Sequence, residues 1–255
     1  MITCYATPGK VKASRLCESF AIGVNAAGGS ARLSSGIPQR LADGAAAFYG
    51  VTAETRHLWR QAIAEGRDWY YIDNSYFDAT RGTHYRITRN ALQFRGTAHS
   101  NGTRRAALGL TVAPWREGQG RTVLICEQSP LFMQHIVGNA AKEWQKQVQQ
   151  FVALHPGKVI KTRPWNANKK VAADSLPADL HDAAAVITWG SSAAVEALLK
   201  GITVHVSPQS AAYGVAPPYR DGWANVLADN QWTLNEISNG TAWRSLQGNP
   251  CLKAG

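Results

Sequence analysis

Cysteine is scarce in this chain: four residues in 255, at positions 4, 17, 126 and 251, with no CxxC pair. None has a histidine nearby at metal-ligand spacing, so neither a disulfide framework nor a structural zinc site is expected. Cys4 and Cys126 fall in apolar runs that read as strands, where a buried free thiol is the expected state. No apolar run is long enough to span a bilayer, and the opening MITCYATPGKVK lacks the apolar core of a signal peptide. The expectation is therefore a cytoplasmic protein with no membrane contact and no disulfide-linked partner. Carboxylates are also in short supply, 17 Asp plus Glu against 27 Lys plus Arg, for a formal net charge of +10.

What is present is a globular composition, 45% apolar and 17% charged, long enough for one large α/β domain or two small ones. The basic balance favours polyanionic partners such as nucleic acid or nucleotide phosphates. Arginines concentrate between Arg81 and Arg121 (Arg81, Arg86, Arg89, Arg95, Arg104, Arg105, Arg116, Arg121), interleaved with His84, Tyr85, Phe94 and His99. Cations mixed with aromatics suit a surface that follows a phosphate backbone and stacks on bases.

Strand and helix signals alternate. Strands are expected at Ile2–Ala6, around Ser30–Leu33, and at Ala45–Tyr49, Trp69–Ile72 and Tyr85–Thr88. Helices are expected at Lys12–Ile22 and Ala53–Glu65. The polar, glycine-rich APWREGQGR (Ala113–Arg121) reads as a connection. Beyond it come a strand at Thr122–Cys126, one long helix at Leu131–Leu154, a strand at Val159–Thr162 and a short helix at Pro177–Ala183. A last helix is expected near Leu234–Asn239, with Trp243 anchoring the tail. The expected fold class is α/β, two Rossmann-like halves facing a cleft, divided as residues 1–115 and 116–255.

The most informative stretch is ITWGSSAAVEALLKGITVHV, Ile187–Val206. An apolar strand stops at Gly190-Ser191-Ser192, a helical run follows, and Gly201 ends it before a second β-rich run. The turn places two hydroxyls and backbone N–H groups at a helix N-terminus, which favours phosphate. Glu196 sits one helical turn further on, placed to meet a ribose. The same residues also suit an ordinary βαβ turn with a serine cap.

With these residues in view, the C-terminal half resembles the nucleotide-sugar-binding half of GT-B glycosyltransferases. The shared pattern is a serine turn, a helix carrying a glutamate, then a glycine and a strand: Ser191, Ser192, Glu196, Gly201, Ile202 and Val204. The resemblance implies that the turn holds donor phosphate while Glu196 takes the ribose hydroxyls, because a carboxylate accepts from two adjacent hydroxyls. Bacterial Kdo- and sialyl-type transferases carry a basic residue, proline and histidine after a strand. Here Lys161-Thr162-Arg163-Pro164-Trp165 stands in that place without the histidine, leaving Lys161 and Arg163 to neutralise a diphosphate. Those enzymes also carry an acidic motif that deprotonates the acceptor. Trp69-Tyr70-Tyr71-Ile72-Asp73-Asn74-Ser75-Tyr76-Phe77 has a comparable shape, so Asp73 is implied as the base, with Asp78 or His84 in reserve.

Across most of the chain, stretches such as IDNSYF, HYRITRNALQ and DNQWTLNEI resemble proteins of tailed bacteriophages, some of which glycosylate hydroxymethylated pyrimidines in their own DNA. That implies a UDP-sugar as co-substrate, double-stranded DNA with modified bases as partner, and host cytoplasm as the place of action. No other cofactor is implied, and with no acidic DxD pair no metal either. His57, His84, Arg86, Arg104 and Arg105 are then the candidate DNA contacts. Two alternatives stay open: a capsule or lipopolysaccharide sugar transferase using a CMP- or UDP-sugar, and a non-catalytic nucleotide- or DNA-binding module that uses the serine turn as an anion nest.

Overall fold

The computed structural model describes residues 1–94, 100–165 and 175–248; the expectations on Arg95, His99 and Cys251 lie outside them. The chain opens with β1 (Ile2–Tyr5), α1 (Val11–Ala26), β2 (Ala31–Leu33), β3 (Ala45–Tyr49), α2 (Arg56–Ala64), β4 (Trp69–Asn74) and β5 (His84–Arg89). After α3 (Thr103–Ala107) come β6 (Thr122–Cys126), α4 (Pro130–Phe132), a π-helical turn (Met133–Val137), α5 (Ala140–Ala153) and β7 (Val159–Arg163). The remainder is α6 (Leu176–His181), β8 (Ala183–Thr188), α7 (Ser192–Leu199), β9 (Thr203–Val206), α8 (Arg220–Asp229), β10 (Trp232–Thr233), α9 (Leu234–Ser238) and α10 (Thr241–Gly248).

The chain is α/β and forms two compact units, each built on its own sheet. Unit 1 comprises residues 1–99 and 227–255, and unit 2 residues 100–226. This division differs from the expected cut after residue 115, and the reason is packing. Trp232, Ile237, Ala242 and Leu246 of the C-terminal segment share one core cluster with Leu16, Phe20 and Val24 of α1. Trp243 packs edge-on to Phe20 and tilted against Tyr70, with ring centroids 6.1 and 5.5 Å away. The tail therefore buries its apolar face in the first unit.

Unit 1 holds a six-stranded sheet in the order β10-β5-β4-β3-β1-β2. β1, β2, β3 and β4 are parallel, but β5 runs antiparallel to β4. The connection 75–83 is too short for the crossover that a parallel pair requires. On β1, Ile2 and Cys4 face α1, whose buried Ala13, Leu16, Cys17, Phe20 and Val24 recur at helical spacing. The helix runs past the expected end at Ile22, with Gly23 inside it. A Cβ there would stand 1.8 Å from the Ile237 carbonyl oxygen, so only glycine lets α1 and α9 approach this closely.

Unit 2 holds a four-stranded, fully parallel sheet in the order β7-β6-β8-β9. Every residue of β8 is buried, as a strand covered on both faces must be. One face packs Leu124, Val186, Ala193 and Ala197, and the other packs Val123, Ala185 and Ile187 against Trp144. The single helix expected over 131–154 is broken: the chain winds as a π turn over Met133–Val137, passes Gly138 at φ +56, and restarts at Ala140. Positive φ at Gly138 costs glycine little and stops a regular helix.

Cys4, Cys17 and Cys126 are free, buried thiols. No helix among the described residues is long and apolar enough to cross a membrane. Gly23→Ala is expected to destabilise unit 1 by about 3 kcal/mol, the upper end of ordinary overpacking costs, read as a lowered midpoint in chemical denaturation.

Candidate functional site

In unit 2 the strand order puts β6 at the centre, with β7 reached on one side and β8 on the other. The crevice at the carboxyl ends of β6 and β8 is thus the topological switch point, where open α/β sheets take their ligands. The serine turn is built there. Thr188, the last residue of β8, is 1% exposed. Its hydroxyl donates to the Cys126 carbonyl at 2.8 Å and accepts from the Gln128 side chain at 3.0 Å and the Ser191 N–H at 3.4 Å. One buried hydroxyl thereby ties the ends of both strands to the turn.

Ser191 is extended (φ −67, ψ 149) and its Oγ accepts from the Ala193 N–H at 3.2 Å, so it is the N-cap of α7. Ala193, Ala194, Val195, Ala197, Leu198 and Leu199 are buried, leaving Ser192, Glu196 and Lys200 as the more open stripe. Ser192 and Glu196, four apart, stand on one face of the helix above the Gly190 turn.

Lys161 and Arg163 both converge on Asp179 of α6, at 2.5 Å each, with the Asp179 side chain 1% exposed. They were expected as open phosphate ligands; instead a buried carboxylate holds both. Arg163 is largely covered, while Lys161 remains half exposed. Burial pushes the nearby Cys126 thiol up to about 12, with Arg163 lowering it and Asp179 raising it, so this cysteine stays protonated and inert. Sequence reasoning missed Asp179, Thr188 and Gln128. Only the Ser175 N-cap followed by Leu176-Pro177 marked the helix that delivers Asp179.

In unit 1, Asp73 lies near the carboxyl end of β4. Its Oδ2 accepts from Arg86 at 2.6 Å and from the Tyr71 hydroxyl at 3.2 Å, and its Oδ1 accepts from the Asn74 N–H at 2.7 Å. Arg86 is its register partner on β5, which sets the pair side by side. Burial works against the Arg86 charge, but Asp73 and the Tyr76, Tyr71 and Tyr49 hydroxyls outweigh it and raise its pKa. Tyr71 is pushed well up by burial and by Asp73. Beside this pair, Lys12 donates to Asn74 at 2.6 Å and stands over the Tyr49 and Tyr85 rings. Thr7 and Thr52 bridge the ends of β1 and β3 at 3.1 Å.

The expected DNA contacts are divided between the two units. Arg86 is 8% exposed and committed to Asp73, which corrects its reading as an open contact. Arg105 pairs with Asp221 at 2.8 Å. Arg104 is half-buried on the same α3, in unit 2, whereas His84, bonded to Thr83, lies in unit 1. His57 is exposed and bonded to the Pro38 carbonyl. Asp78 pairs with Arg81 at 2.6 Å. Among the described residues no group of three or more His, Cys, Asp or Glu is placed to hold a metal ion.

No protein-family model matches the chain. No curated protein matches it either. Among solved structures it is similar to Thermosulfurimonas dismutans KpsC, beta Kdo 2,4 transferase, at 15% identity and a TM-score of 0.49 over 94% of each chain. The fold and the sites described above stand on this chain's own strands and side chains.

A cavity of about 400 Å³ lies elsewhere in unit 2, along β9, and is lined by Trp115, Phe151, His205 and Tyr213 among others. It is mostly apolar and contains no residue of the serine turn. At its side the Nε2 atoms of His155 and His205 meet at 2.8 Å. Burial and then His155 push His205 down to about 4, while burial and then Lys158 lower His155. Unfolded, both return to about 6.5. Between those values the unfolded chain binds more protons, so the pair's stabilisation is full above about pH 6.5 and is lost as pH falls toward 4. Thermal melts from pH 7 to pH 4.5 should show Tm falling, and the fall should shrink in His205→Gln.

Proposed function

We propose that this chain is a glycosyltransferase that takes its sugar from a nucleotide donor seated at the serine turn of unit 2. The observation that carries the reading is the capped N-terminus of α7 at the sheet's switch point, with Ser192 and Glu196 on its open stripe. Oriented N–H groups suit the donor phosphates, and Glu196 suits vicinal ribose hydroxyls. Lys161, half exposed although paired to Asp179, adds charge for the departing nucleotide. A UDP-sugar is the preferred donor, since the histidine that accompanies CMP-sugar use is missing after Pro164.

Asp73 is the proposed base for the acceptor hydroxyl, and Arg86 fixes the direction of its carboxylate. For the acceptor, a saccharide of capsule or lipopolysaccharide type is preferred to hydroxymethylated DNA. Arg86 and Arg105, two of the five side chains the DNA reading relied on, are engaged with Asp73 and Asp221. The net charge of +10 is what still favours DNA, so both acceptors belong in the test.

The protein is incubated with UDP- and CMP-sugars and either oligosaccharide acceptors or hydroxymethylated DNA, and the products are weighed. A sugar mass added to an oligosaccharide supports the reading; a sugar mass on a nucleoside moves the acceptor to DNA. No adduct from folded protein would sink the transferase altogether. Glu196→Gln and Ser191→Ala should each weaken donor binding about tenfold by calorimetry, with Tm little changed for Glu196→Gln. Asp73→Asn should lower turnover by about a hundredfold or more while donor affinity holds.

A further inference from the structure

Unit 1 has a cavity of about 380 Å³ on the flank of its sheet, beside β1 and β2 and bounded by the loop 34–42. That volume falls within the usual range for small-ligand sites. Because Ile2 and Cys4 face α1, Thr3 and Tyr5 point to the opposite face of β1. Arg32 is the register partner of Thr3 on β2, so its side chain leaves on that same face. Thr3, Tyr5, Arg32, Ser34, Ser35 and Arg40 all line the cavity, and no carboxylate does.

Three observations give this cavity a chemistry. Thr3 is 2% exposed and its Oγ1 has no hydrogen-bond partner, a cost that folded chains seldom keep without use. Arg32 meets no carboxylate among the described residues, and Glu65, paired with Arg40, stands off at 3.9 Å with Arg40 83% exposed. The loop is also pinned in place: the Tyr5 hydroxyl accepts from the Ala42 N–H at 2.9 Å, and the Gln61 side chain accepts from the Leu41 N–H at 2.8 Å. The cavity is therefore formed before any ligand arrives, with two guanidinium groups and three aliphatic hydroxyls on its walls.

We infer that this cavity binds a small hydroxylated anion, a sugar-sized molecule bearing a carboxylate or a phosphate. The guanidinium forks of Arg32 and Arg40 match either oxyanion in a planar, two-point contact, and Ser34, Ser35 and Thr3 serve the ligand's hydroxyls. The site is separate from the Asp73 edge. β1 and β2 stand two and three strands from β4 in the sheet order, about 10–15 Å at ordinary strand spacing. The inference does not depend on the transferase reading.

The test is calorimetric titration of the full chain with glucuronate, glucose 6-phosphate, inorganic phosphate and glucose. Saturable binding of one or both sugar anions is expected, tighter than inorganic phosphate and glucose by about tenfold or more. The stronger of the two identifies the anionic group. Arg32→Ala with Arg40→Ala, both exposed positions, should abolish the binding, and Thr3→Val should weaken it while Glu196→Gln leaves it unchanged. No saturable binding, binding equal to that of inorganic phosphate, or binding indifferent to both arginines would overturn the inference.

Discussion

Thr188 is the point on which unit 2 turns. β8 is buried along its whole length, so its final residue has no water to satisfy a polar group and must find partners within the protein. Its hydroxyl finds them in the Cys126 carbonyl, the Gln128 amide and the Ser191 N–H. These bonds fix the separation of the β6 and β8 ends, and with it the direction in which α7 leaves the sheet. The anion-favouring helix terminus is thus the product of a core requirement: what satisfies a buried hydroxyl also aims the Ser191 turn at the switch point.

Unit 1 reaches a comparable arrangement by another route. The antiparallel β5 sets Arg86 directly across from Asp73, and burial of the guanidinium makes that partnership obligatory. β5 in turn is flanked by β10, whose Trp232 belongs to the C-terminal segment packed on α1. The carboxylate at the end of β4 therefore depends on residues more than half the chain away. Such a base is positioned by the fold as a whole and not by its neighbours in sequence.

Charge is distributed with the same economy. The chain has an excess of cations, yet Arg86, Arg89, Arg105, Arg121 and Arg163 each hold an aspartate, and Asp179 takes Lys161 as well. Much of the arginine that reads in sequence as a phosphate-tracking surface is structural pairing. Of the cations lining the unit 1 cavity, Arg32 meets no carboxylate among the described residues and Arg40 meets only Glu65, at 3.9 Å. Net charge describes the field of the molecule, and it does not say which side chains are available to a ligand.

The sequence alone determined the α/β class, most strands within a residue or two, and the strand–serine–helix unit at Ile187–Val206. Those features depend on local periodicity and capping, which neighbouring residues specify. It also marked Asp73 as the acid at a strand end. Tertiary structure decided the rest: the return of residues 227–248 to the first unit, the antiparallel β5, the π turn that breaks the expected long helix, and the partners of Asp73, Lys161 and Arg163. The returned tail and the ion pairs rest on contacts between residues that are not neighbours in sequence, Gly23 with Ile237 or Arg163 with Asp179, where the energetic reward is burial or ion pairing that no local pattern records.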